Sequence, residues 1–209
     1  EEVSDRVSER ADQRRLSAYV WVGWLMIFTV MFVQRPVQTF FPALAAREKI
    51  APFLASLPLF LHMLVQSVCG WGMIRKANWL YRRKPFVIIQ GLAVILLLIL
   101  WRVPSYPVAA VCLTLLGAWS GFIYFCAVFY AGNSGRRSWN IGVNECLVGL
   151  GSVGGLFLSE GAMRLLQNPT ILYAVCAGAL LVSILVQWIA AGRQGAGIVA
   201  GSGPAVQRR

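Results

Sequence analysis

Apolar residues run through this chain in long blocks, with no alternation. Six blocks stand out, at about 18–46, 51–74, 86–103, 106–131, 140–162 and 170–191. Each is near or above the ~18–20 residues that cross ~30 Å of hydrocarbon at ~1.5 Å per residue. None keeps a period of two over its length, so the strands of a membrane barrel are rejected. The blocks predict an all-α membrane protein with six transmembrane helices spanning residues 18–191. Residues 1–17, "EEVSDRVSERADQRRLS", are polar and hold five of the eight acidic residues. They read as a cytoplasmic linker or short surface helix. The Gly-rich stretch 192–209 reads as a disordered cytoplasmic tail.

Composition agrees with a bilayer as solvent. The chain is 58% hydrophobic and only 13% charged, with a mean hydropathy of +0.66. That leaves too little polar surface to cover a soluble domain. A net charge of +11 would suggest nucleic acid in a soluble protein, but the basic residues sit in short bursts between apolar blocks. Fourteen of the Lys and Arg residues fall on the side of the termini and of the loops near 75–85 and 132–139, against four on the other. The positive-inside rule then puts both termini in the cytoplasm of a multi-pass protein of the inner membrane. No nucleic-acid partner is expected; the partner is the lipid bilayer. Trp21, Trp24, Trp71, Trp79, Trp139 and Trp188 fall toward the inner interface and Trp101 toward the outer. The five cysteines share no C-x-x-C spacing and there is one histidine, so no metal or cofactor site is expected.

The spans differ. The third and sixth are evenly apolar and read as lipid-facing. The first, second, fourth and fifth carry polar residues and Gly or Pro, which suits helices that line something. "YAGNSGRRSWNIGVNE" contains a G-x-S-G at Gly132–Gly135, the pattern of an intramembrane serine protease. Such a serine needs a base within reach. The lone His62 lies roughly 16 Å along the second span, near the midplane, while Ser134 sits in a loop beside Arg136 and Arg137. Ser134 is a turn residue, and no enzyme activity is expected.

Two stretches carry a resemblance. In "NWLYRRKP", Arg82, Arg83 and Lys84 match the basic end of G-x-x-x-D-R-x-G-R-R/K, with Asn78 at its Asp position and Ile74 and Tyr81 at its glycines. "RRSWNIGVNECLVGLGSVGGLFLSEG" places an acidic residue ahead of a small-residue run after a basic loop. With six spans and both ends cytoplasmic, the chain resembles the C-terminal six-helix half of a major facilitator superfamily transporter. The resemblance implies a half bundle of 3+3 repeats, an N-terminal six-helix half as partner, and a secondary active transporter (a permease) moving a small solute by alternating access. Proton coupling, by symport or antiport, is one form of that reading. The alternative is a non-transporting membrane assembly factor or receptor derived from the same fold.

Candidate residues follow. Arg35, roughly 25 Å along the first span and flanked by Gln34 and Gln38, is an anion contact at a cavity, or else snorkels outward or pairs with Glu160. His62 and Gln66, four apart, present one face near the midplane. There His62 either carries a proton or bridges helices as a neutral ring. Trp119 and Tyr124 stack on a solute or pack in the core. Asn144 and Glu145 lie early in the fifth span, where a carboxylate suits the helix dipole or pairs with a basic loop of the partner half as an inner gate; Arg82 and Arg83 are further gating candidates.

Overall fold

The computed structural model describes residues 2–75, 83–133 and 135–200, and side chains over 19–73, 75, 84–133 and 135–189. Its order is α1 (Glu2–Arg47), α2 (Pro52–Ile74), α3 (Arg83–Arg102), α4 (Tyr106–Asn133), α5 (Arg137–Leu166) and α6 (Ile171–Ala200). No strand occurs among the described residues. Six segments are long and apolar enough to span a bilayer: Tyr19–Arg47, Pro52–Met73, Lys84–Arg102, Tyr106–Asn133, Arg137–Leu166 and Ile171–Ile189. The backbone has a physical reason for this regularity. In hydrocarbon every peptide group must be paired within the segment, and a helix does that at no cost in partners.

Two ends differ from the sequence expectation. α1 starts at Glu2, so the polar residues 2–17 are the helical approach to the first span. α6 runs to Ala200, so the first part of the Gly-rich tail is helical. Arg82, Ser134, Trp79, Asn78 and Tyr81 lie outside the described residues, as does the side chain of Arg83.

Breaks between spans are chemically marked. Pro52 opens α2 directly after Ala51, where its missing N–H costs nothing. Gln167 closes α5 in the left-handed region at φ 49°, and Asn168 Oδ1 then accepts from the Thr170 amide at 3.0 Å. That bond builds the turn into α6.

α1 and α4 form the interior. Of their most apolar windows 72% and 56% are buried, against 17% for α2 and for α5. α2 lies along α4 and α5 along α1; α3 and α6 pack on each other and against α4 and α1 respectively. The core runs through Met26, Ile27, Val30, Leu97, Leu113, Leu116, Ile123 and Leu180. Charged residues stack on indoles near the helix ends, with Arg75 over Trp71 at 4.3 Å and Arg102 over Trp101 at 4.5 Å. Both are the arrangement expected at a membrane–water boundary.

α3 and α6 are less uniform than their sequences suggest. Their exposed positions are aliphatic, as at Ile88, Leu92, Ile95, Leu181, Val182 and Leu185. Their inner faces carry a buried polar chain. Gln90 Nε2 donates to Gln187 Oε1 at 2.9 Å, Gln187 Nε2 donates to Ser183 Oγ at 3.0 Å, and Ser183 meets Thr29 of α1 at 2.8 Å. A polar side chain away from water must find such partners, and here it ties α3, α6 and α1 together.

Candidate functional site

Glycine sets how closely the polar residues of α2 approach α4. A methyl group built on Gly117 would run into the His62 backbone carbonyl, and one on Gly121 into that of Gln66. With no Cβ in the way the two helices touch backbone to backbone, the small-residue packing common between membrane helices.

This contact orients His62. The ring is 3% exposed. Its Nδ1 lies 2.8 Å from the Leu113 carbonyl and its Nε2 3.3 Å from Ser120 Oγ. A carbonyl only accepts, so Nδ1 carries a proton and Nε2 is left to accept from Ser120. The Ser120 hydroxyl has a second acceptor, the Gly117 carbonyl at 3.0 Å. One hydroxyl proton therefore serves two acceptors. If Nε2 gained a proton, Ser120 would accept from it and donate to Gly117, leaving no bond broken. His62 is thus a bridge between α2 and α4 and faces away from the open side of α2.

Gln66 turns the other way. Gln34 Nε2 donates to Gln66 Oε1 at 3.0 Å, joining α1 to α2. Gln38 Nε2 reaches the Met63 sulfur at 3.7 Å. The four-residue spacing of His62 and Gln66 does not bring their side chains to one partner, because α2 sits in the notch between α4 and α1.

Arg35 follows Gln34 but points outward. It is exposed, has no ion-pair partner among the described residues, and lies between the two ends of the Tyr19–Arg47 span. The pairing with Glu160 weighed from sequence does not form; Glu160 is bonded to Arg164 on its own helix. Near it Gln38 is half-buried and Thr39 exposed.

The aromatic candidates separate. Trp119 is 2% exposed and belongs to the core, so stacking on a solute is corrected to packing. Tyr124 is exposed. At the start of α5, Asn144 is buried while Glu145 is exposed with no ion-pair partner among the described residues. Gln34 Oε1 and Asn144 Oδ1 are buried without a hydrogen-bond donor among the described residues.

The Gln90–Gln187–Ser183–Thr29 chain was not anticipated from sequence. Its signal was Gln90 alone in "FVIIQGLAVILLLILW" and the four-residue spacing of Ser183 and Gln187.

The five cysteines are free. No cluster of three or more metal-ligating side chains occurs among the described residues.

No family model matches the chain, and neither a curated protein nor a solved structure is found similar to it.

Proposed function

We propose that this chain is one six-helix bundle of a secondary transporter of the major facilitator type. It holds a small polar or anionic solute between its α1–α2–α5 side and a second bundle. The observation that carries this reading is Arg35, an exposed cation within a membrane span. A cation at the centre of a lipid-facing helix costs roughly 2.5–3.5 kcal/mol on insertion scales. Such a group is stable when it faces a water-filled cavity or a partner.

Three further features support the reading. Polar groups gather at the α1–α2 contact, in Gln34, Gln38 and Gln66, beside exposed apolar side chains of α2 such as Phe60 and Leu64, a mixed face that suits a second bundle. The packing scheme is compatible with two three-helix repeats: exchanging α1–α3 for α4–α6 turns the α1–α5 pair into α4–α2, α1–α6 into α4–α3, and α1–α2 into α4–α5. Buried acceptors without donors, at Gln34 and Asn144, suit positions where a solute or moving element supplies a donor for part of a cycle. In this reading Arg35 binds the anionic part of the solute, Gln38 and Gln66 bind its polar part, and Glu145 works at the inner gate against a basic loop of the second bundle. His62 is the coupling candidate through its two-acceptor hydroxyl partner.

The test is thiol labelling of Thr39→Cys, an exposed position one helical turn from Arg35 that leaves the Arg35 guanidinium in place, with Cys146 and the other native cysteines replaced. In sealed vesicles a membrane-impermeant cationic thiol reagent is expected to react with it rapidly, and small anionic solutes to protect it. A cysteine inert to the aqueous reagent and reactive only to a lipid-soluble one would mean a lipid-facing position, and the transporter reading would fall. Rapid labelling with protection by no solute and no uptake in proteoliposomes would move the assembly-factor reading to first place.

A further inference from the structure

Two cavities open at the end of the bundle away from the chain termini, and they share a wall. The first, about 280 Å³, lies between α1, α3, α4 and α6 and is lined in its depth by Phe41, Leu100, Ala109 and Tyr173. The second, about 330 Å³, lies between α1 and α5 and is lined by Arg164, Glu160, Gln167 and Met163. Leu44, Arg47 and Pro169 border both. One cavity is thus apolar in depth, its neighbour is charged, and Arg47 stands at their junction.

Each is near the lower limit of ~300 Å³ for a small-molecule site, so neither holds a whole lipid. Together they match the two chemical halves of one. Arg47 closes the Tyr19–Arg47 span, which puts its guanidinium at headgroup depth. Four charged side chains surround the junction: Arg47 and Arg164 are cationic, Glu48 and Glu160 anionic. Arg164 and Glu160 are bonded to each other, while Arg47 and Glu48 have no ion-pair partner among the described residues. Tyr173, 4% exposed, lines the apolar cavity, and its hydroxyl has no hydrogen-bond partner among the described residues.

We propose that this junction binds a glycerophospholipid with a zwitterionic ammonium headgroup. Its phosphate bonds Arg47, its ammonium lies by Glu48, and part of one acyl chain fills the cavity over Ala109, with an ester oxygen in reach of Tyr173. A free guanidinium takes a phosphate through charge-assisted bonds. The free carboxylate beside it selects a headgroup carrying a cation over one that is only anionic.

The test is native mass spectrometry of the purified protein in detergent, titrated with phosphatidylethanolamine or phosphatidylglycerol. The wild type is expected to keep phosphatidylethanolamine about tenfold more tightly, the worth of one charge-assisted hydrogen bond. Arg47→Ala should weaken both lipids about tenfold, and Glu48→Gln should remove the preference while leaving phosphatidylglycerol unchanged. Ala109→Phe, which fills the apolar cavity, should weaken both without changing their ratio. Arg47 and Glu48 are exposed, so those variants keep the fold, and circular dichroism checks Ala109→Phe. Equal retention of the two lipids by the wild type, or unchanged binding in Arg47→Ala, would overturn the assignment.

Discussion

The bundle contains two helix crossings built on the same backbone device and filled with opposite chemistry. Where α2 meets α4, Gly117 and Gly121 let the helix press against the carbonyls of His62 and Gln66. Where α1 meets α5, Gly151 and Gly155 do the same against the carbonyls of Phe28 and Phe32. In the first crossing the large partners carry hydrogen-bonding groups; in the second they are phenyl rings. Close approach is thus supplied by the glycines alone, and the side chains opposite are free to serve another purpose. Polar groups at α2–α4 are held in fixed places, His62 by the Leu113 carbonyl and by the Ser120 hydroxyl that it shares with Gly117. At its glycines the α1–α5 crossing is held by dispersion and shape, and its side-chain hydrogen bond, from Trp24 Nε1 to the Asn140 carbonyl at 3.2 Å, lies toward the start of α5.

The largest effect should come from removing the shared device. Gly121→Ala and Gly155→Ala each put a methyl group against backbone that cannot rotate away. Each is expected to cost about 3 kcal/mol, the upper end of overpacking penalties, as a lower midpoint in thermal or SDS unfolding. A cost in one crossing and none in the other would break the equivalence between them. Next comes the chemistry that separates the two. His62→Ala should cost about 2 kcal/mol, through a lost contact and the lost donor to the Leu113 carbonyl. A double-mutant cycle of His62→Ala with Ser120→Ala should return a coupling of about 0.6 kcal/mol, the mean for hydrogen bonds between membrane helices. Zero coupling would mean that Ser120 serves Gly117 alone. The smallest effect is expected at a glycine outside either crossing. Gly149 has nothing near its missing Cβ, so Gly149→Ala should be neutral or stabilise by up to about 1 kcal/mol. A large loss there would mean that the glycine-rich stretch of α5 is a packing surface along its whole length.

Much of this layout was legible in the chain. The six span positions follow from apolar length, because the bilayer imposes a fixed thickness that a helix must meet. The small-residue run of α5 holds Gly149, Gly151, Gly154 and Gly155, yet only Gly151 and Gly155 meet α1 backbone. Spacing alone could not tell them from Gly149, since a helix face becomes an interface only when a neighbour lies on it. The candidate residues divided for the same reason. His62 and Gln66 were correctly placed on one helix, but the position of α2 between α4 and α1 sent their side chains to different partners. Trp119 was open to solute stacking or core packing and is core; in "LLGAWSGFIYF" the polar groups beside the indole are the hydroxyls of Ser120 and Tyr124, and nothing in the spacing tells which way the indole faces. Arg35 was identified as a charge within a span, whereas its outward direction and its separation from Glu160 came with the packing.

Local sequence determined the number of spans, the breaks between them and the membrane as their solvent, because each depends on groups within one segment: apolar content, Pro52 at a helix start, Asn168 in a turn. Which faces meet was decided in the tertiary structure. In hydrocarbon, apolar side chains gain nothing by leaving lipid for one another, so hydrophobic pattern does not choose partners. The choice rests on the fit of glycines to facing backbone and on the pairing of Gln34 with Gln66, His62 with Leu113 and Ser120, and Gln90 with Gln187. Such fits involve residues tens of positions apart, and they exist only once the helices stand side by side.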